Sequence, residues 1–241
     1  MKLVTCSILW CVTLLVDAKP GEIRVDESED YWNNQSIKEA LNNNDRSSWL
    51  FFRTYSSSTN GATHKCVYAN VKGPESNGNV FEFEQKYVIT GNSEEVKQET
   101  LFATTYKTES THAHKTRPYD NVMRVSKVKG SQEGRRYQLI YSDYKICDIL
   151  RVLDSGYGRD CELYLHDSAV DGGVPSGCKS IYGHACGKDD KRYQQQVYDN
   201  SCREKLGVTT QAPTTPEETS TIPTEKKPEE ESTTPTPPPG C

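Results

Sequence analysis

The sequence predicts an all-β domain, an eight-stranded antiparallel barrel with a helix before and a helix after the strands, stapled by disulfides. Three observations carry this. Eight short runs rich in β-branched and aromatic residues succeed one another between residues 48 and 167, separated by Gly, Asn, Pro, Ser or charge at hairpin spacing. A helix-like stretch stands on each side of them. Six of the nine cysteines (Cys66, Cys147, Cys161, Cys178, Cys186 and Cys202) fall within or just after the strand series.

The chain opens on MKLVTCSILWCVTLLVDA, one Lys followed by an apolar run and a Val-Asp-Ala ending. This reads as a secretory signal over 1–18, cleaved after Ala18. The run falls short of the roughly 20 apolar residues of a membrane span. An exported, extracellular protein is therefore expected, with no membrane association.

Residues 19–207 form the expected domain. SIKEALNN (36–43) reads as the leading helix. The strands are SWLFFRTY (48–55), KCVYANV (65–71), NVFEFEQKYV (79–88), EVKQETLFATTY (95–106), DNVMRVSKV (120–128), RRYQLIYS (135–142), CDILRVL (147–153) and CELYLHD (161–167). SGCKSIYGHAC (176–186) reads as the trailing helix. Eight strands can also make a sandwich. Closed into a barrel, they leave an interior wide enough for one small ligand, and the order helix, strands, helix favours the barrel.

From Val208 to Cys241, 18 of 34 residues are Thr or Pro, and six Glu stand against two Lys. Such a segment buries too little to offset its ordering entropy. It reads as a disordered Thr/Pro/Glu-rich, mucin-like tail. Setting it aside moves the net charge of −5 to near −1 for the body, which excludes a nucleic-acid footprint.

In an oxidising compartment pairing is the default for cysteines. The six body cysteines make three disulfides, and Cys241 is left free or available to link a dimer. Zinc is the competing reading, but no Cys-x-x-Cys occurs. His112 and His114 have metal-like spacing in a polar loop with no third ligand nearby. No Gly-x-Ser-x-Gly, His-Glu-x-x-His or phosphate loop is present, so neither enzyme chemistry nor a cofactor is expected. Asn34, in Asn-Gln-Ser, is a glycosylation sequon.

The most informative stretch is CDILRVLDSGYGRDCELYLHD (147–167). Side chains alternate along a strand, so Asp148, Leu150 and Val152 oppose Cys147, Ile149 and Arg151. By the same rule Glu162, Tyr164 and His166 oppose Cys161, Leu163 and Leu165. If the cysteines face outward to bond external elements, both acids point in. An internal carboxylate costs several kcal/mol unless water, an internal cation or a cationic ligand meets it. Alternation also puts Arg53 on the face of Trp49, Phe51 and Tyr55. If that face is internal, Arg53 offsets an acid or meets an anionic lipid.

The aromatic first strand ending in Tyr55, Cys66, SDYKICD (142–148), GRDCELYLHD (158–167), PSGC (175–178) and VYDNSC (197–202) together resemble a tick salivary lipocalin of the histamine-binding family. The likeness covers residues 30–202, with CELY where the family has YELW. It implies a lipocalin barrel that sequesters small amines between acids and aromatic rings, which would blunt host inflammatory defence. Asp148 and Glu162, with Tyr164, match one amine pocket, where Gln138 takes the place of a further acid. Tyr55 and Glu99 match a second pocket, whose usual acid and Trp are replaced by SSSTNGATHK. The resemblance also implies the pairs Cys66–Cys202 and Cys147–Cys178, leaving Cys161 with Cys186. The expected ligand is a biogenic amine, histamine or serotonin. The rivals are an eicosanoid or fatty acid, and a scaffold for a host complement or cell-surface protein.

Overall fold

The computed structural model describes residues 23–209 except 76–77, 92 and 109–114. The expected signal, His112, His114 and the tail from residue 210, Cys241 included, lie outside the described residues.

Ten strands succeed one another among the described residues: β1 (Ser47–Arg53), β2 (Ser58–Thr59), β3 (Ala62–Pro74), β4 (Val80–Thr90), β5 (Glu94–Tyr106), β6 (Val122–Ser126), β7 (Arg135–Ser142), β8 (Cys147–Val152), β9 (Cys161–His166) and β10 (Gln195–Gln196). Eight are the predicted runs, and β2 and β10 are two-residue additions. Consecutive strands from β3 to β9 pair antiparallel. β1 pairs with β9 on one side and β3 on the other, which closes the barrel.

The helices are α1 (Ile37–Leu41), α2 (Ser176–Cys186), α3 (Asp190–Tyr193) and α4 (Ser201–Leu206). Ser36 caps α1 by accepting from the Glu39 amide at 3.3 Å. The Ile37 amide donates to the Asp120 carbonyl at 2.8 Å, which ties the helix to the segment entering β6. In α2 the buried residues Cys178, Tyr182 and Cys186 recur every four positions, a single stripe turned to the barrel wall.

Alternation along the strands divides the apolar residues into two layers. Inside the barrel are Phe81, Phe83, Leu101, Ala103, Met123, Leu139 and Leu150, closed over by Ile37. Outside, between wall and helices, are Trp49, Ile149, Leu163, Leu165, Tyr182 and Tyr198 with the six cysteines. Cys147 is bonded to Cys178 and Cys161 to Cys186, so two neighbouring strands are stapled to α2. Cys66 is bonded to Cys202, joining β3 to α4. Each bridge contributes on the order of 2–4 kcal/mol.

Two sequence expectations fail here. Arg53 does not share a face with Trp49 and Phe51. The β1–β9 register shifts between Leu50 and Phe52, so Phe51 is the extra residue of a bulge, which resets the alternation. Trp49 pairs with outward Leu165, and Arg53 pairs with inward Glu162. The second failure is Gln138, expected in the amine pocket. It pairs with Arg151 on the outer face, and its amide donates to the Asp26 carbonyl at 3.3 Å.

The outer layer holds a buried ion pair. Arg151, 4 % exposed, donates from Nε to Asp26 Oδ2 at 2.8 Å and from Nη2 to Oδ1 at 3.3 Å. Arg117 reinforces this corner by donating to the Asp26 carbonyl and to Gln35 Oε1, both at 2.6 Å.

Candidate ligand-binding site

Within the barrel, beneath α1, lies a cavity of about 80 Å³. Its wall is largely apolar: Ile37 and Leu41 from α1, Val71, Phe83, Met123, Leu139 and Leu150 from the strands. The Tyr137 and Tyr164 rings add aromatic surface, and Asp148 supplies a carboxylate.

Strand register sets Asp148 there. It pairs with Tyr164, one residue from outward Cys147. Its Oδ2 lies 3.1 Å from His166 Nε2, while its Oδ1 is buried without a hydrogen-bond partner. The side-chain amide of Asn43, just beyond α1, lies 3.2 Å from His166 Nδ1. Burial pulls the His166 pKa down, but the Asp148 charge and hydrogen bond, with Asp45 and Asp143 further off, raise it above the ordinary histidine value.

Glu162, 3 % exposed, also points inward but is already engaged. The Tyr55 hydroxyl donates to Oε1 and the Tyr164 hydroxyl to Oε2, the latter at 3.0 Å. Burial and the Glu162 charge drive both phenols far above their usual pKa, so both remain donors. The Arg53 and Arg135 charges face the same carboxylate. The Arg135 guanidinium sits 5.0 Å from the Tyr55 ring centre and 5.6 Å from that of Tyr137, cation–π distances. Arg53 donates from Nη2 to the His64 carbonyl at 2.8 Å, while its Nε is buried without a partner.

The predicted residues thus divide. Asp148 and Tyr164 line the cavity, and Tyr164 connects it to Glu162 through its hydroxyl. Tyr55, assigned by resemblance to a second pocket, is hydrogen-bonded to Glu162 of the first. Glu99 is instead paired with Lys127 at 2.6 Å, its side chain 28 % exposed. Asn34 is half-buried, and its amide donates to the Ser142 carbonyl at 2.9 Å. Sequence reasoning placed His166 on the inner face without a role. It missed Arg135 and Tyr137, although alternation through RRYQL puts both beside Leu139.

A closed antiparallel barrel with an internal cavity and exterior disulfides defines the class: a lipocalin-like ligand-binding protein. The family profile described as tick histamine binding protein matches residues 25–204, and the chain belongs to that family. No curated protein sequence matches significantly. Among solved structures, Japanin from Rhipicephalus appendiculatus, bound to cholesterol, is 14 % identical over 65 % of this chain and 95 % of its own, with a TM-score of 0.45. Lobster apocrustacyanin A1 is 14 % identical over 78 % of this chain and 94 % of its own, with a TM-score of 0.44. No helix among the described residues is long and apolar enough to cross a membrane.

Proposed function

We propose that this protein is secreted and withholds a small biogenic amine, such as histamine or serotonin, in the cavity beneath α1, without catalysis. The observation that carries this is Asp148: a carboxylate with one buried, unpartnered oxygen in a largely apolar and aromatic wall to which Ser48 and Gln85 also contribute. An ammonium would supply the missing charge-assisted hydrogen bond, and Tyr137, Tyr164 and Phe83 would take the ring. Glu162 contributes indirectly by orienting Tyr164. Withholding a mediator needs only affinity and abundance, and it would blunt the host response the mediator drives.

A second reading, an eicosanoid or fatty acid, draws on one observation. The buried Arg53 Nε has no partner, and Arg53 and Arg135 together outnumber Glu162 in charge. Neither Arg53 nor Arg135 is among the residues lining the cavity beneath α1, which counts against it.

Calorimetric titration of wild type, Asp148→Asn and Glu162→Gln with histamine, serotonin and a fatty acid separates these readings. A charge-assisted hydrogen bond is worth roughly 1.5–3 kcal/mol, so Asp148→Asn should weaken amine binding about tenfold to a hundredfold. Glu162→Gln should cost less, and neither change should impair fatty-acid binding. Fatty-acid binding with no amine binding by the wild type would establish the lipid reading. Saturation by neither would leave the barrel as a scaffold for a host protein.

A further inference from the structure

We propose that His166 is the counter-ion of Asp148 in the ligand-free protein, and that a cationic ligand takes its place by driving the proton off the imidazole. The inference rests on the amine reading of the Asp148 cavity and deepens it, because it makes uptake and release of the ligand depend on pH.

The geometry points to it in three ways. His166 is 1 % exposed, so a charge on it must be met within the protein. Its Nε2 faces Asp148 Oδ2 at 3.1 Å, on the carboxylate whose other oxygen is buried and unpartnered. The Asn43 side-chain amide lies 3.2 Å from His166 Nδ1 and has its Oδ1 buried without another partner, so it can turn that oxygen to the N–H of the imidazolium and its NH2 to the deprotonated ring. The single Asp148 charge would therefore lie between two candidate cations, the imidazolium on one side and the ligand ammonium on the other.

The charged groups that act most on the imidazole are acids. Asp148 comes from β8, Asp45 from the segment before β1 and Asp143 from the turn before β8. Asp143 Oδ1 accepts from the Ile146 and Cys147 amides at 2.7 and 3.0 Å, and Asp45 Oδ2 accepts from the Ser168 amide at 2.9 Å. Asp167, next along the chain, is taken by Arg203 at 2.8 Å and by Trp49 at 2.6 Å. Asp148 is thus the only one of these acids in hydrogen-bond contact with the ring, and the raised His166 pKa is chiefly its effect.

A bound ammonium on Asp148 removes that support and adds repulsion, so the His166 pKa falls. Between the free and bound values each binding event releases a proton, and affinity must rise with pH across that window. The slope approaches about tenfold per pH unit if a full proton leaves. Acidification then discharges the ligand.

The test uses serotonin, whose ammonium does not titrate near neutrality. Calorimetry in buffers of different ionisation enthalpy reads proton release directly. NMR of the imidazole resonances, assigned with His166→Gln, reads the His166 pKa in the free protein. We expect release of up to one proton in wild type, none in His166→Gln, and a His166 pKa lowered to the ordinary value or below it in Asp148→Asn. Serotonin binding without proton release, or with equal release in His166→Gln, would overturn the proposal and leave the amine reading intact. Absence of binding by serotonin and histamine alike anywhere between about pH 6 and 8.5 would overturn both, whereas a His166 pKa that ignores Asp148→Asn would refute only the counter-ion pair. The wild-type and Asp148→Asn measurements stand even if His166→Gln does not fold.

Discussion

Replacing Arg151 with alanine is expected to lower the unfolding free energy by about 3–5 kcal/mol, the cost of stranding a buried partner charge. Asp26 is 1 % exposed and would lose two hydrogen bonds to the guanidinium. It would keep Arg24, whose side chain is half exposed and correspondingly screened, and the more distant charge of Arg117. Arg151 also donates to the Ala185 carbonyl at 3.2 Å, so the change loosens the end of α2 beside the Cys161–Cys186 bridge. The Asp26/Arg151 pair changed together to Asn and Met should recover part of the loss, because the Asp26 charge is removed together with its closest partner. Urea denaturation followed by circular dichroism measures both, and a loss below about 1 kcal/mol for Arg151→Ala would show that Asp26 finds water instead. The same pair predicts an acid response. Burial pushes the Asp26 pKa up, but Arg151 and Arg24 overcome it and hold the carboxyl below its usual value. The stability it provides is present above the unfolded pKa, near 3.9, and disappears as pH falls through the lowered folded value. Asp26→Asn should flatten that acid limb.

Trp49→Ala should be comparably destabilising, by about 3–5 kcal/mol. The indole is fully buried on the outer wall, 4.8 Å from the Tyr68 ring and 5.0 Å from that of Tyr198. Its Nε1 donates to Asp167 Oδ1 at 2.6 Å, and the Arg203 guanidinium of α4 lies over its face at 5.7 Å. Removing the ring opens a void and also takes a donor from a buried carboxylate, so Trp49→Phe should recover packing but not the hydrogen bond. Because α4 stays joined to β3 through Cys66–Cys202, the loss should appear as a lower denaturation midpoint with cooperativity retained. A midpoint unchanged within error would mean that the helical layer does not depend on this residue.

Much of this was legible in the chain. Periodicity of two marks every barrel strand, because one face is packed and the other must suit a different layer. Cysteine positions on consecutive strands then orient Asp148 and Glu162 inward, since a disulfide to an external helix is possible only from the outer face. The same rule misplaced Arg53, because a bulge at Phe51 adds one residue to one strand and nothing local in SWLFFRTY announces it. Gln138 was placed in the pocket by the family resemblance alone, whereas alternation through RRYQL already sets it opposite Tyr137 and Leu139, on the outer face. The difference between the two acids was also out of reach of sequence. Asp148 keeps an unpartnered oxygen and Glu162 does not, because Glu162 meets Tyr55, just past β1, about a hundred residues away in the chain, only when the barrel closes. Pattern along a chain determines which face a side chain takes; which charges share that face, and hence which carboxylate is left for a ligand, is decided by closure.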